Sequence, residues 1–330
     1  MPLAESFRSQ VDLLLRTIPF IAKEKCFALK GGTAINLFVR DLPRLSVDID
    51  LTYVHVFPRA KSLGAIDKAM KRIAARVEKG IKSARVTQTA IEGTVTKLFI
   101  QERRVQIKVE VTPVMRGCAY EPETRGVTPA VEEAFGFAEM PVVSFADLYA
   151  GKIVAALDRQ HPRDFFDVRQ LIANEGITDE IRSAFIVYLL CHHRPMAEVL
   201  AAPSKDMRQK YEAEFVGMTD EEVVLDDLVA VRDDLVRAIV GEMPNAHRRF
   251  LISFERGEPD WDLLGLPRVE KLPAIQWRQQ NLDKITKNKR AELVAQLERV
   301  LGLDVTPSQL TLLPEASAPK KKRRAGKSRG

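Results

Sequence analysis

Little in this chain suits a disulfide framework or a soft-metal centre. Its 330 residues include three cysteines and five histidines. Cys26, Cys118 and Cys191 are scattered, form no CxxC pair and are odd in number, which argues against a disulfide scaffold and for a reducing cytoplasm. Cys191, His192 and His193 are adjacent at the end of a helical pattern, where neighbours point in different directions; no other cluster offers partners at zinc-ligand spacing. No apolar run reaches about eighteen residues, which argues against a membrane span. MPLAESFRSQVDLLLRTIPF carries an acid early and no basic region leading into an apolar block, so no secretory signal is expected. An excess of positive charge is also lacking outside one segment. The last eleven residues, KKKRRAGKSRG, hold seven bases and no acid, and without them the net charge falls from +6 to −1. The composition predicts a nearly neutral globular body over residues 1–313 and a disordered basic tail over 314–330. Such a tail aids solubility or serves as a non-specific arm for nucleic acid.

The body divides by pattern. Residues 5–24 read as a helix with Val11, Leu14, Leu15 and Ile18 on one face. A short apolar strand, 26–29, runs into Gly31-Gly32, and a helix over 33–40 starts there. Residues 45–53 alternate as a strand. The basic segment 61–79 places Ile66, Met70, Ile73 and Val77 on one helical face; Lys68, Lys71, Arg72, Arg76 and Lys79 form a solvated face or an RNA-docking one. Segments 94–100 and 105–111 alternate around the charged turn QERR and predict a hairpin. Helices follow over 147–157 and 164–172. After Asn174-Glu175-Gly176 the chain reads as almost wholly helical, including a helix opened by a capping box of Thr219 and Glu222. This predicts a catalytic domain over 1–175 and a helical domain over 176–313. Trp261 and Trp277 lie among prolines and are expected as core or interface residues rather than base-stacking platforms.

The chemistry concentrates in FALKGGTAINLFVRDLPRLSVDIDLTYV, residues 27–54. Side chains alternate along a strand, so Ser46, Asp48 and Asp50 face one way and Val47, Ile49 and Leu51 the other. Two carboxylates about 7 Å apart on one strand face repel and lose hydration unless a cation joins them. Oxygen ligands of this kind suit Mg²⁺ shared with substrate phosphates. Gly31-Gly32 allows close backbone approach, and the helix that follows presents free N–H groups to an anion. The plainer alternative is a strand edge with salt bridges from Asp48 and Asp50 to Arg40 or Arg44. A two-metal site wants a third carboxylate on a neighbouring strand. In VQIKVEVTPV, Gln106, Lys108 and Glu110 share a face; Glu110 is the candidate, with Lys108 to hold it or to neutralise phosphate.

A third cluster is DLYAGKIVAALDRQHPRDFFDVRQL. Lys152 and Arg159 lie seven apart on one helical face, followed by Arg163, Asp164 and Asp167. Lys152 suits a triphosphate. Asp164 and Asp167 either cap a helix N-terminus or orient Lys152 or Arg159.

These three segments together resemble the nucleotidyltransferase toxins of the AbiEii/AbiGii type, relatives of the mycobacterial MenT toxins within the DNA polymerase β-like superfamily. The resemblance runs motif by motif over residues 25–175, and LPAIQWRQQNLDKI (272–285) is similar to a segment of their helical half. It implies an α+β fold: a mixed-sheet nucleotidyltransferase domain followed by a helical one. It further implies Mg²⁺ dependence, two ions being expected, and a toxin beside a separately encoded antitoxin in an abortive-infection system. Relatives attach nucleotides to tRNA acceptor ends. The resemblance maps Asp48 and Asp50 to metal ligands and Gly31, Gly32 and Thr33 to the glycine motif. It maps the late lysine to Lys152 and the late aspartate to Asp164 or Asp167. Pro43 in RDLPRLS and the basic tail depart from the family pattern.

The reading is therefore an enzyme that moves NMP from an NTP to an acceptor hydroxyl, expected at a tRNA 3′ end, and releases pyrophosphate. Asp48, Asp50 and Glu110 would be metal ligands and catalytic, with Lys152, Asp164 and Asp167 also catalytic. Gly31, Gly32, Thr33, Ser46, Lys108, Arg159 and Arg163 would bind nucleotide. The alternatives are an antibiotic-type transferase with a small acceptor, or a non-catalytic module that binds nucleotide or a partner.

Overall fold

A computed structural model describes residues 5–219 and 221–303; the basic tail lies outside the described residues. The described chain begins with α1 (Glu5–Ile21), β1 (Phe27–Lys30) and a short α2 (Gly31–Ala34) that continues as a π-turn to Val39. Then come β2 (Asp48–Tyr53), α3 (Arg59–Gly80), β3 (Ala84–Ile91), β4 (Thr94–Glu102), β5 (Val105–Arg116), β6 (Glu123–Gly126), α4 (Pro129–Phe135) and β7 (Glu139–Val142). The rest is helical: α5 (Phe145–Arg159), α6 (Pro162–Asn174), α7 (Asp179–Leu190), α8 (Met196–Leu200) and α9 (Arg208–Glu214), then α10 (Leu225–Val236), α11 (Asn245–Arg256), α12 (Pro273–Lys284) and α13 (Lys287–Val300).

The seven strands form one mixed sheet in the order β3-β4-β5-β2-β1-β7-β6. β2 runs antiparallel to β1 and parallel to β5, so three sequence-distant segments lie side by side. α3 packs on β3, β4 and β5, and α1, beside α3, packs on β5 and β7. Val11, Leu14, Ile18, Ile66, Met70, Ile73 and Val77 are buried there, as their helical spacing predicts. Each such side chain contributes roughly 1.5–3 kcal/mol of burial. Glu24, itself buried, clasps the two helices by accepting from Arg72 and Arg76 at 2.7 and 2.6 Å. Two of the basic residues of α3 are thereby committed to structure, and Lys71 pairs with Asp67.

Several expectations change in detail. The strand predicted from residue 45 starts at Asp48, because Leu45 N–H donates to the Met218 carbonyl and holds the preceding chain off the sheet. The turn between β4 and β5 is only Arg103-Arg104, with Glu102 opposite Val105 and Arg103 at φ 56°. The capping box at Thr219 does not form: the Thr219 hydroxyl donates to the Glu221 carbonyl, and α10 starts later, at Leu225. β3 was not anticipated, since TQTA is polar on an edge strand that leaves most of its side chains in solvent. No strand follows β7 among the described residues, and α7, beyond the predicted division at Gly176, packs on α5. Trp261, half-buried, packs against Phe250 and Phe254 at the edge of the core, whereas Trp277 is 57 % exposed.

Candidate active site

The parallel register of β2 on β5 sets Asp48 opposite Lys108 and Asp50 opposite Glu110. Directly opposed residues share a sheet face. Ile49, Leu51, Val109 and Val111 are buried on the other face, so all three predicted carboxylates lie together, away from the core layer. β1 brings a further residue, since Lys30 is opposite Asp50. β4 brings another: Lys97 is opposite Glu110, with its ammonium 3.0 Å from Oε1. Lys108 Nζ stands 3.2 Å from Glu110 Oε2 and 3.5 Å from Asp48 Oδ2. Neither Arg40 nor Arg44 pairs with the β2 aspartates; Arg40 binds Glu175 and Arg44 binds Asp167. The strand-edge alternative therefore does not hold.

Electrostatics separates Asp50 from Glu110. Burial raises Asp50, and Asp48 and Glu110 push it the same way, while Lys30 and Lys108 oppose the rise. Burial would also raise Glu110, but hydrogen bonds from Lys97 and Lys108 bring it below its usual value. Burial lowers the Lys30 ammonium against the pull of Asp50 and Glu110. Each carboxylate is thus tolerated because a lysine stands beside it, the work a divalent cation would do.

Among the described residues no three His, Cys, Asp or Glu side chains are drawn together as a ready metal-ligand set. The ammonium of Lys108 lies between Asp48 and Glu110. The donor chemistry nevertheless fits a hard divalent ion, with oxygen ligands only and a desolvated Asp50 that is disfavoured as an anion. A lysine on a flexible stem can yield its place to such an ion.

The glycine motif supports this face by close contact. Gly31 has φ 78°, and a Cβ there would fall 2.7 Å from Asp50 Oδ2. At Gly32 a Cβ would meet Arg44 Nη2 at 2.8 Å and Ser46 Oγ at 2.9 Å. Thr33 Oγ1 lies 3.0 Å from Ser46 Oγ and donates to the Asp48 carbonyl, so the motif is tied to the start of β2.

Behind it lies a second charge cluster. Asp167, 1 % exposed, accepts from Arg44 through both oxygens at 2.7 and 2.6 Å and pairs with Lys152 at 2.8 Å. Asp164 pairs with Lys152 at 3.0 Å and with Arg159. Burial would raise both aspartates, yet Lys152 with Arg159 at Asp164, and Arg44 with Lys152 at Asp167, hold them below the usual carboxylate range. Helix capping is not their task, because His161 Nδ1 accepts from Arg163 N–H at the start of α6.

Sequence comparison now bears on this arrangement. The family described as nucleotidyl transferase AbiEii toxin, Type IV TA system, matches residues 12–280. The chain belongs to the AbiEii nucleotidyltransferase toxin family. No protein of curated function matches it in sequence. Its fold is similar to MenT4, a nucleotidyltransferase toxin from Mycobacterium tuberculosis H37Rv, at TM-score 0.55 and 15 % identity over 88 % of this chain and 93 % of that one. This AbiEii chain is a nucleotidyltransferase toxin of a type IV toxin–antitoxin system, and the family implies a cognate antitoxin. Among the described residues no helix is long and apolar enough to cross a membrane.

Within the AbiEii chain, not every expected residue reaches the carboxylates. Lys152 is buried and engaged by two acids. Arg159, beside Asp164, stays close enough to feel Asp50. Arg163 lies instead with His161 against Glu214 of α9. Three residues of the site were missed: Lys30, Lys97 and Arg44. The first was signalled by alternation in FALK; the second depends on the two-residue turn between β4 and β5, which sets Lys97 opposite Glu110. The third pairs with a residue 123 positions away, which no local pattern reveals.

Proposed function

We propose that the carboxylate face of β2 and β5 carries out Mg²⁺-dependent transfer of NMP from an NTP to a hydroxyl at the 3′ end of an RNA, in keeping with the tRNA acceptors of similar toxins. The observation that carries this reading is the direct opposition of Asp50 and Glu110 across two parallel strands, with Asp48 on the same face. Asp48, Asp50 and Glu110 would hold the metal. When bound, the metal supplies charge stabilisation to entering and leaving oxygens, as in two-metal phosphoryl transfer. The protein's own groups do the rest. Gly31 lets the backbone come up against Asp50. Lys30, Lys97 and Lys108, which relieve carboxylate repulsion before substrate arrives, turn to the triphosphate oxygens once the acids are otherwise neutralised. Glu110 lies where it can take the proton of the acceptor hydroxyl, which attacks the α-phosphorus in line while pyrophosphate leaves. Lys152, Asp164 and Asp167 act behind this face and hold Arg159 toward it.

In the cell this reading gives growth arrest opposed by the cognate antitoxin, in the cytoplasm and in the context of phage defence. Its test is Mg²⁺-dependent transfer from α-radiolabelled NTPs to total RNA, with protein and aminoglycoside acceptors alongside. RNA labelling that Asp50→Ala abolishes is the expected result. Labelling of the small acceptor instead makes the chain an antibiotic-type transferase, and no labelling of any acceptor makes it a binding module.

A further inference from the structure

Beyond the carboxylates β5 is irregular. Leu51 is opposite Val111 but Tyr53 is opposite Arg116, so the strand bulges between them and Arg116 comes to lie beside Tyr53 near the strand's end. There it meets α12 in a cleft of about 800 Å³. Four of the eight large apolar side chains most exposed among the described residues, Val56, Phe57, Val114 and Trp277, line this single cleft. Concentration of exposed apolar surface in one place marks a binding site. No carboxylate lines the cleft, while Arg116, Lys271 and Arg59 do, the last paired with Glu92 at 2.7 Å.

Arg116 gives the second observation. It is 7 % exposed, makes no hydrogen bond or ion pair among the described residues, and its Nε is buried without a partner. Burial lowers its guanidinium pKa, and Arg59 adds to the effect. A buried cation with no counter-charge is costly, and native proteins keep one where a ligand completes it. A guanidinium is matched to a phosphate through two parallel hydrogen bonds. An exposed indole beside it offers a flat face to an unstacked base.

We infer that this cleft holds the unpaired nucleotides of the acceptor RNA, a base on Trp277 and a backbone phosphate on Arg116, with Lys271 beside them. The inference rests on reading the carboxylate face as the transfer site. Arg116 follows Glu110 by six residues, at most about 20 Å of extended chain, so a few unpaired nucleotides lying in the cleft can reach round the end of β5 to the carboxylates. Charge selects a polyanion, and the aromatic wall selects one with exposed bases. A duplex, with its bases stacked inside, gains nothing from Trp277.

The test measures binding of the full-length protein to a labelled single-stranded hexaribonucleotide by anisotropy, without NTP or divalent metal. Excess unlabelled blunt RNA duplex competes for non-specific basic segments. Trp277→Ala should weaken binding about tenfold or more, and Trp277→Phe should recover most of it. Arg116→Met should weaken it to a similar extent while leaving the thermal midpoint equal to or above that of the wild type, since it removes an unpaired buried charge. Val216→Ala, at an exposed apolar residue outside the cleft, should bind normally. Binding by Trp277→Ala and Arg116→Met within about twofold of the wild type overturns the inference. So does concentration-dependent dimerisation that Trp277→Ala abolishes, which would make the cleft an interface between copies. Transfer to RNA that persists alongside unaffected binding sinks the cleft and spares the transferase reading. Cleft-dependent binding without any transfer does the reverse.

Discussion

Asp167→Asn is the sharpest perturbation of what holds the site's frame. The amide keeps the shape of the side chain and removes one charge from a cluster in which Arg44 is 3 % and Lys152 7 % exposed. Lys152 keeps Asp164, but Arg44 loses its counter-charge and one of its two side-chain acceptors. The amide oxygen can still accept one N–H, the NH2 cannot accept the other, and the Leu45 carbonyl remains. Removing one partner of a buried pair costs about 3–5 kcal/mol, because the remaining charge is left without compensation. At roughly 2–4 °C per kcal/mol, the midpoint should fall by roughly 6–20 °C in a melt followed by circular dichroism. Replacing the whole pair, Arg44→Met with Asp167→Leu, should recover much of the loss, since apolar groups of similar volume carry no desolvation cost. A single variant that melts within about 1 °C of the wild type would refute the view that this pair anchors the approach to β2.

Other outcomes follow from neighbouring geometry. Gly31→Ala places a methyl group against Asp50 at a left-handed φ. It should cost about 1–3 kcal/mol and reduce nucleotide transfer further than the melt alone explains; a fully active variant speaks against close support of Asp50. Glu24→Gln should loosen α1 from α3 by about 1–2 kcal/mol, a modest figure because Arg72 is half exposed, read as a lower urea midpoint. Asp164 and Asp167 are held below the ordinary carboxylate value, so their contribution is complete above about pH 4 and is lost as pH falls through their depressed folded values. Stability should therefore drop below about pH 4, by up to roughly 1.4 kcal/mol per pH unit for each group, and Asp164→Asn should flatten that limb.

The two β2 aspartates were legible because strand periodicity is rigid: once 48–53 is a strand, Asp48 and Asp50 must share a face. Glu110 followed from the same rule. Their mutual register was not legible, since parallel pairing between segments 60 residues apart leaves no local trace. Lys97 shows how a small boundary error spreads. Taking QERR as the turn pairs residue 100 with 105 and sets Lys97 opposite Lys108. The true two-residue turn shifts the pairing and sets Lys97 opposite Glu110. Arg103 in a left-handed conformation closes that turn, a role the sequence does not advertise for arginine. Lys152 and Arg159 were rightly placed on one helical face, and both meet Asp164. That Lys152 would be enclosed could not be read, because its burial depends on Arg44 and Asp167 arriving from elsewhere in the chain. Trp277 gave no signal either, as neighbouring prolines do not tell exposure from burial.

The central claim is that three acids from β2 and β5 share a divalent cation with the nucleotide. The direct measurement is anomalous scattering from a crystal soaked with Mn²⁺ and a non-hydrolysable NTP. The account predicts a peak in contact with Asp48 and Asp50, with Glu110 beside it and Lys108 turned toward phosphate. Nucleotide bound with no peak at these carboxylates, or a peak elsewhere in the chain, would contradict it.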